Sequence, residues 1–205
     1  MTHLASARVG ILIIATGLLL SACTTNRDTQ PNRTATEELL ISSAVDRAVT
    51  ELHPVMASGT HVFVDAQYFD GLDAKYTIAA VRAQLLREGA VLADDRKTAQ
   101  AILEIRNGAQ SIDQHVFLVG IPSFNVPIPL AGSFTFPEVA LYKSAREAGV
   151  SKIALVIYDA KTGKLDSDVP PQYGLSQETD HTVMIFFTWH EDNLMPGGAL
   201  GTELK

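Results

Sequence analysis

Ile153-Ala154-Leu155-Val156-Ile157-Tyr158, bracketed by Lys152 and Asp159, is the strongest strand signal in the chain. An apolar run of this length, rich in β-branched residues and closed by turn formers, predicts a strand rather than a helix. Directly after it, Asp159-Ala160-Lys161-Thr162-Gly163-Lys164-Leu165 predicts a hairpin, with Gly163 supplying the left-handed residue at a bulge. Upstream, residues 101–106 predict a strand with Leu103 and Ile105 on one face, and residues 116–119 form a further apolar run. Downstream, residues 182–189 predict a last strand, and Pro196, Gly197 and Gly198 mark a loose tail over 191–205.

The part preceding these strands has helical periodicity. Thr36 followed by Glu37 and Glu38 predicts a helix start, and Leu40, Ile41, Ala44, Val45, Ala48 and Leu52 recur at spacings of three and four. Pro54 sets the predicted end at His53, because the residue before a proline is biased away from helical geometry. Val62-Phe63-Val64 predicts a strand over residues 61–66. A second helix is expected after Asp73 as N-cap, carrying Ile78, Val81, Leu85 and Leu86 and stopping at Gly89. Helix, strand, helix and then several strands give an α+β class: a mixed β-sheet with helices packed on one face.

Composition agrees with one folded core. The chain has 205 residues, 46% hydrophobic, 19% charged and 7% aromatic, which is the balance of a globular protein. Its formal charge of −7, with no concentrated basic stripe, argues against a nucleic-acid partner. Cys23 is the only cysteine, so a disulfide within the chain, thiol catalysis in the domain and a cysteine-based zinc site are all excluded.

The N-terminal segment has its own logic. Arg8 precedes an apolar stretch over residues 9–20, and small residues follow at Ser21 and Ala22. As a helix this stretch rises only about 18 Å against a hydrocarbon core of roughly 30 Å, so it predicts an export signal over 1–22 rather than a transmembrane span. Leu20-Ser21-Ala22-Cys23 resembles the lipobox of bacterial lipoproteins. That resemblance implies that Cys23 becomes the mature N-terminus and carries a diacylglyceryl group on sulfur and a further acyl chain, such as palmitate, on its amine. Two or three chains make such attachment effectively permanent. Thr24, rather than an aspartate, follows the cysteine, which favours an outer-membrane lipoprotein facing the periplasm; in a one-membrane bacterium the same anchor faces outward. Residues 23–35 read as a lipidated tether, and residues 36–190 as a single α/β domain.

The ordered elements carry a second resemblance. Gly89-Ala90-Val91-Leu92-Ala93-Asp94-Asp95 closing an amphipathic helix, a strand opening Ala101-Ile102-Leu103, and the late strand and turn from Ile157 to Leu165 look like the domain shared by curli-secretion-channel lipoproteins and the N-terminal domain of the Tol translocation protein. It covers roughly residues 36–165. The chain is also similar to small bacterial lipoproteins grouped as a family of unknown function. Neither resemblance transfers a catalytic residue.

Candidate chemistry is sparse. His53, His61, His115, His181 and His190 form no two-histidine helical pair, so no metal and no cofactor is expected. Thr162-Gly163-Lys164 lacks the earlier glycine and the following helix of a phosphate loop. No Gly-x-Ser-x-Gly elbow occurs. Asp65, Asp70 and Asp73, with His115, are the groups on which an anchored hydrolase would rest.

Residues 120–137 are the most unusual stretch. Alternation puts Phe124, Val126, Ile128 and Leu130 on one side of an extended chain, while Pro122, Pro127, Pro129 and Pro137 exclude a central sheet position. One reading makes this flank a docking surface for an envelope partner or a second copy; the other folds it back over the domain's own core. The four prolines also argue against a membrane-spanning β-hairpin, which needs two alternating strands of roughly 9–11 residues. The leading expectation is a non-enzymatic envelope lipoprotein that binds through Phe124, Val126, Ile128 and Leu130. An oligomeric secretion or assembly component like the curli channel is the first alternative, and a membrane-anchored hydrolase the second.

Overall fold

The computed structural model describes residues 32–129 and 132–194. The expectations for Cys23, for Leu130 and for the tail beyond Leu194 lie outside the described residues.

A capping box starts the first helix. Thr34 Oγ1 accepts from the Glu37 amide at 3.1 Å, and the Glu37 carboxylate accepts from the Thr34 amide at 2.8 Å. Helix α1 therefore spans Ala35–Thr50, beginning one residue before the expected Thr36. It stops short of His53, with Glu51 as C-cap. Strand β1 is His61–Asp65 and helix α2 is Ala74–Arg87. Asp73 does occupy the N-cap of α2, but its side chain makes no capping hydrogen bond. Its carboxylate instead accepts two bonds from the Arg33 guanidinium, at 2.9 and 2.7 Å. At the other end Gly89 has φ +87, and the bonds Gly89 N–H to Leu86 O and Ala90 N–H to Leu85 O close a Schellman motif at the predicted glycine.

The remaining elements are strands: β2 Val91–Leu92, β3 Ala101–Ile121, β4 Phe124–Ile128, β5 Gly132–Phe136, β6 Val139–Asp159, β7 Leu165–Val183 and β8 Phe187–Asp192. Six of them form a sheet in the order β2-β1-β3-β6-β7-β8, while β4 and β5 pair as a separate hairpin. Strands β2, β1 and β3 run parallel, and β3, β6, β7 and β8 are antiparallel. The sheet is mixed, as the α+β reading requires.

Both helices pack on one face. Ile41, Val45 and Val49 of α1 and Val81 and Leu85 of α2 share a core with Leu103, Ile105, Ile153, Leu155 and Ile157. The opposite face keeps only a small cluster around Ile102, Ala93 and Ala99. Close approach of α1 depends on two glycines: a Cβ on Gly149 would lie 2.5 Å from Leu40 O, and one on Gly174 1.7 Å from Ala44 O.

Three expectations about strands need correction. Residues 101–106 and 116–119 are not two strands but parts of the single 21-residue β3, which pairs along its length with the 21-residue β6. Residues 182–189 are not one strand: they hold the end of β7, a turn at Met184, Ile185 and Phe186, and the start of β8. The four prolines do not prevent two long paired strands, because Pro122 and Pro137 fall in the breaks that separate β4 and β5 from β3 and β6, Pro129 sits in the turn, and only Pro127 lies within a strand. At about 3.4 Å per residue, β3 and β6 each run roughly 70 Å, well past the end of the helical layer.

Candidate functional site

Where β3, β6, β7 and β8 extend beyond the helices, their alternation gives the sheet two chemically different sides. On the side continuous with the helical face, Gln114 Nε2 donates to Glu147 Oε1 at 2.9 Å. Next to this pair stand Glu178, opposite Glu147 in register, and His190, whose Nδ1 lies 2.9 Å from Asp180 and whose Nε2 lies 3.3 Å from Asp192 and 3.9 Å from Glu178. Burial pushes the Glu178 carboxyl above its ordinary range; His190 opposes this, and Glu147, Asp180 and Asp192 reinforce it. The Glu147 carboxyl is raised mainly by burial and then by the negative charge of Glu37 from α1.

The other side is aromatic. Phe117, Tyr142, His181 and Trp189 form a ladder across four strands: ring centroids lie 6.2 Å apart for Phe117 and Tyr142, 6.2 Å for Tyr142 and His181, and 4.8 Å for His181 and Trp189. The Tyr142 hydroxyl is 3.1 Å from His181 Nδ1. Phe117 and Trp189 remain exposed. No local pattern in any one strand encodes this ladder, because it depends on the register among four.

The flank singled out by alternation, residues 120–137, projects as β4 and β5. Phe124 pairs with Phe136, Val126 with Phe134 and Ile128 with Gly132. The Phe124 and Phe136 rings stack with centroids 5.1 Å apart. Every described residue of both strands is exposed, so this flank does not fold back over the core. Phe124, Val126 and Ile128 are 47%, 42% and 45% exposed, on the same side of β4.

A second apolar tip was missed in the sequence. Met184 and Ile185 adopt φ 49 and 69, and with Phe186 they form the β7–β8 turn; Phe186 is 82% exposed. Hairpin turns with positive φ are ordinarily signalled by Asn or Gly, and here neither is present. A continuous apolar run therefore passes for a strand.

The acidic groups considered for hydrolysis are not gathered. Asp65 is nearly buried at the end of β1 and accepts from Arg96 at 2.8 Å. The Asp70 carbonyl accepts from Asn107, and Asp73 is taken by Arg33. His115 lies eleven residues along β3 from Glu104, the register partner of Asp65, which is about 35 Å away. Asp159 anchors a turn: its carboxylate accepts from the amides of Lys161 and Thr162 and from the Thr162 hydroxyl, and these bonds hold its pKa below the ordinary range. With Gly163 at φ +71, residues 159–165 make the predicted hairpin. Among the described residues, no group of three or more His, Cys, Asp or Glu side chains is arranged to hold a metal ion. No helix among them is long and apolar enough to cross a membrane.

No curated protein sequence matches the chain. A family model does match, over residues 15–201 and thus most of the length, and the chain belongs to that family of unknown function, DUF6655.

Proposed function

We propose that this protein is a lipid-anchored envelope lipoprotein whose domain acts by binding and assembly rather than by catalysis. The anchor rests on the lipobox-like Leu20-Ser21-Ala22-Cys23, and Thr24 favours the outer membrane with the domain facing the periplasm. The observation that carries the binding role is the projecting β4–β5 hairpin, which holds Phe124, Val126, Ile128, Phe134 and Phe136 exposed around a stacked aromatic pair. Exposing contiguous apolar side chains is costly in water, so surfaces of this kind mark interaction sites. The experiment is crosslinking of the lipidated protein in native envelopes, comparing wild type with the double variant Phe124→Asp, Ile128→Asp. Loss of specific crosslinked products is expected; an unchanged set of products removes this surface from the proposal.

Self-association is the second reading, and a different observation favours it. Strand β1 ends opposite Glu104, so beyond that point β3 has no neighbour on its outer side among the described residues. The opposite border of the sheet is β8. A long unpaired strand border is a template for pairing with another chain. Joining β3 of one copy to β8 of the next is a head-to-tail contact, which closes into a ring when the rotation per copy allows.

A further inference from the structure

We propose that the β7–β8 corner of the sheet, the turn Met184-Ile185-Phe186 level with Leu141 of β6, inserts into a phospholipid bilayer. Residues 182–189 contain no charged side chain and neither do residues 116–137; at the start of β6 between them, Glu138 and Lys143 neutralise each other in an ion pair at 2.8 Å. Met184 and Ile185 hold left-handed backbone geometry that bulky and β-branched residues rarely adopt. A water-facing turn gains nothing from such residues, whereas one that partitions into hydrocarbon gains from each side chain. One backbone group at the tip is already satisfied for that solvent: the Met184 amide donates to Leu141 O at 3.0 Å.

Behind the tip stands the kind of border that membrane proteins place at the headgroup level. Tyr142 and Trp189, amphipathic rings favoured at that depth, flank His181. Charged groups resume on the far side of them with Lys143, Asp180 and Glu191, while Glu138, on the near side, is held in the ion pair with Lys143. This border is mainly acidic, so it opposes tip-to-tip contact with a second copy and favours zwitterionic over anionic lipid.

The path of the chain points the same way. Helix α1 crosses β7 with Ala44 over Gly174 and Leu40 at Ser176, whose hydroxyl donates to Leu40 O at 2.6 Å. Further toward its N-terminus Glu37 acts on Glu147, which is in register with Glu178. The start of α1 is therefore directed toward the β7–β8 turn, and Glu178, the register partner of Glu147, is seven residues and about 24 Å short of Ile185 at 3.4 Å per residue. Ten residue steps lead from Cys23 to Arg33 and reach about 33 Å when extended. Lipid on Cys23 and the apolar turn can thus occupy the same leaflet; this last argument rests on the lipidation reading above.

Trp189 is the only tryptophan of the chain and reports its own depth. The test uses the protein as isolated from native envelopes, reconstituted in phosphatidylcholine vesicles with and without lipids brominated near the headgroup end of the acyl chains. Trp189 emission is expected to move to shorter wavelength and to be quenched by bromine, less so as anionic lipid is added. Phe186→Asp and the gentler pair Ile185→Gly, Phe186→Ser are expected to abolish quenching while the circular dichroism stays unchanged. An unquenched Trp189 in the wild type overturns the proposal, as does quenching that survives both variants. A concentration-dependent blue shift without bromine quenching overturns it too, by showing that a second copy covers the tip. Mass spectrometry of Cys23 on the same sample separates the two readings: quenching with an unmodified sulfur supports tip insertion and refutes the anchor.

Discussion

Glu147 lies where the start of α1 meets the extended sheet, and its surroundings hold its proton more tightly than water does. Burial is the larger cause and the charge of Glu37 the next, against which the bond from Gln114 works in the opposite direction. A carboxyl whose folded pKa is raised above its unfolded value favours folding fully only below the unfolded pKa, and that contribution is lost as pH rises through the folded pKa. Glu147→Gln is therefore expected to melt at a higher temperature than wild type at pH 7, with the difference shrinking toward zero as the pH is lowered below about 4. Thermal denaturation followed by circular dichroism across that range checks it; a difference that grows on acidification contradicts the assignment. At this scale the sequence identified Phe124, Val126 and Ile128 correctly as one side of an extended chain, since alternation is a property of neighbours. It did not reveal Phe117, Tyr142, His181 and Trp189 as a set, because they meet only through the register of four strands.

Among elements, the contact of α1 with β7 is the tightest. A methyl group at residue 174 would fall 1.7 Å from Ala44 O and 2.7 Å from Ala48 N, both backbone atoms that move only if the helix moves. Gly174→Ala is expected to destabilise the domain by about 2–3 kcal/mol, the upper part of the range for forced overpacking, as measured by chemical denaturation. An effect under about 0.5 kcal/mol, the usual size for an uninvolved surface site, would mean that α1 rides higher on the sheet. The helices were legible because their stripes and stop signals are local: Gly89 ends α2 as read. The long strands were not, for two reasons. Gly108 is an extra residue at a bulge between Asn107 and Ala109, so the helix-facing positions change from Leu103 and Ile105 to Gln110 and Ile112, and a single period of two cannot be followed through β3. Pro170 and Pro171 conceal β7; they sit at its register shift, on the portion that β8 does not reach.

For the molecule as a whole, the extended sheet leaves β3 and β8 as its two borders beyond the helical layer. If copies join there, the acylated protein extracted in mild detergent is expected to have a mass several times that of one chain, and Val116→Lys with Phe117→Lys on β3 is expected to reduce it to the single-chain value, since lysine on a strand border opposes pairing. Mass measurement by light scattering decides this, and single chains at high wild-type concentration would eliminate the ring. The α+β class was readable from the sequence, whereas the length of the projection was not, because it depends on residues as far apart in the chain as Tyr142 and Val183 finding one another.

The double bond between Arg33 and Asp73 gives the domain a defined answer to mechanical load. Force arriving along the preceding segment meets a two-pronged, partly shielded ion pair that ties the beginning of one helix to the beginning of the other. Tension on Arg33 would therefore reach the start of α2 as well as the start of α1, instead of loading α1 alone.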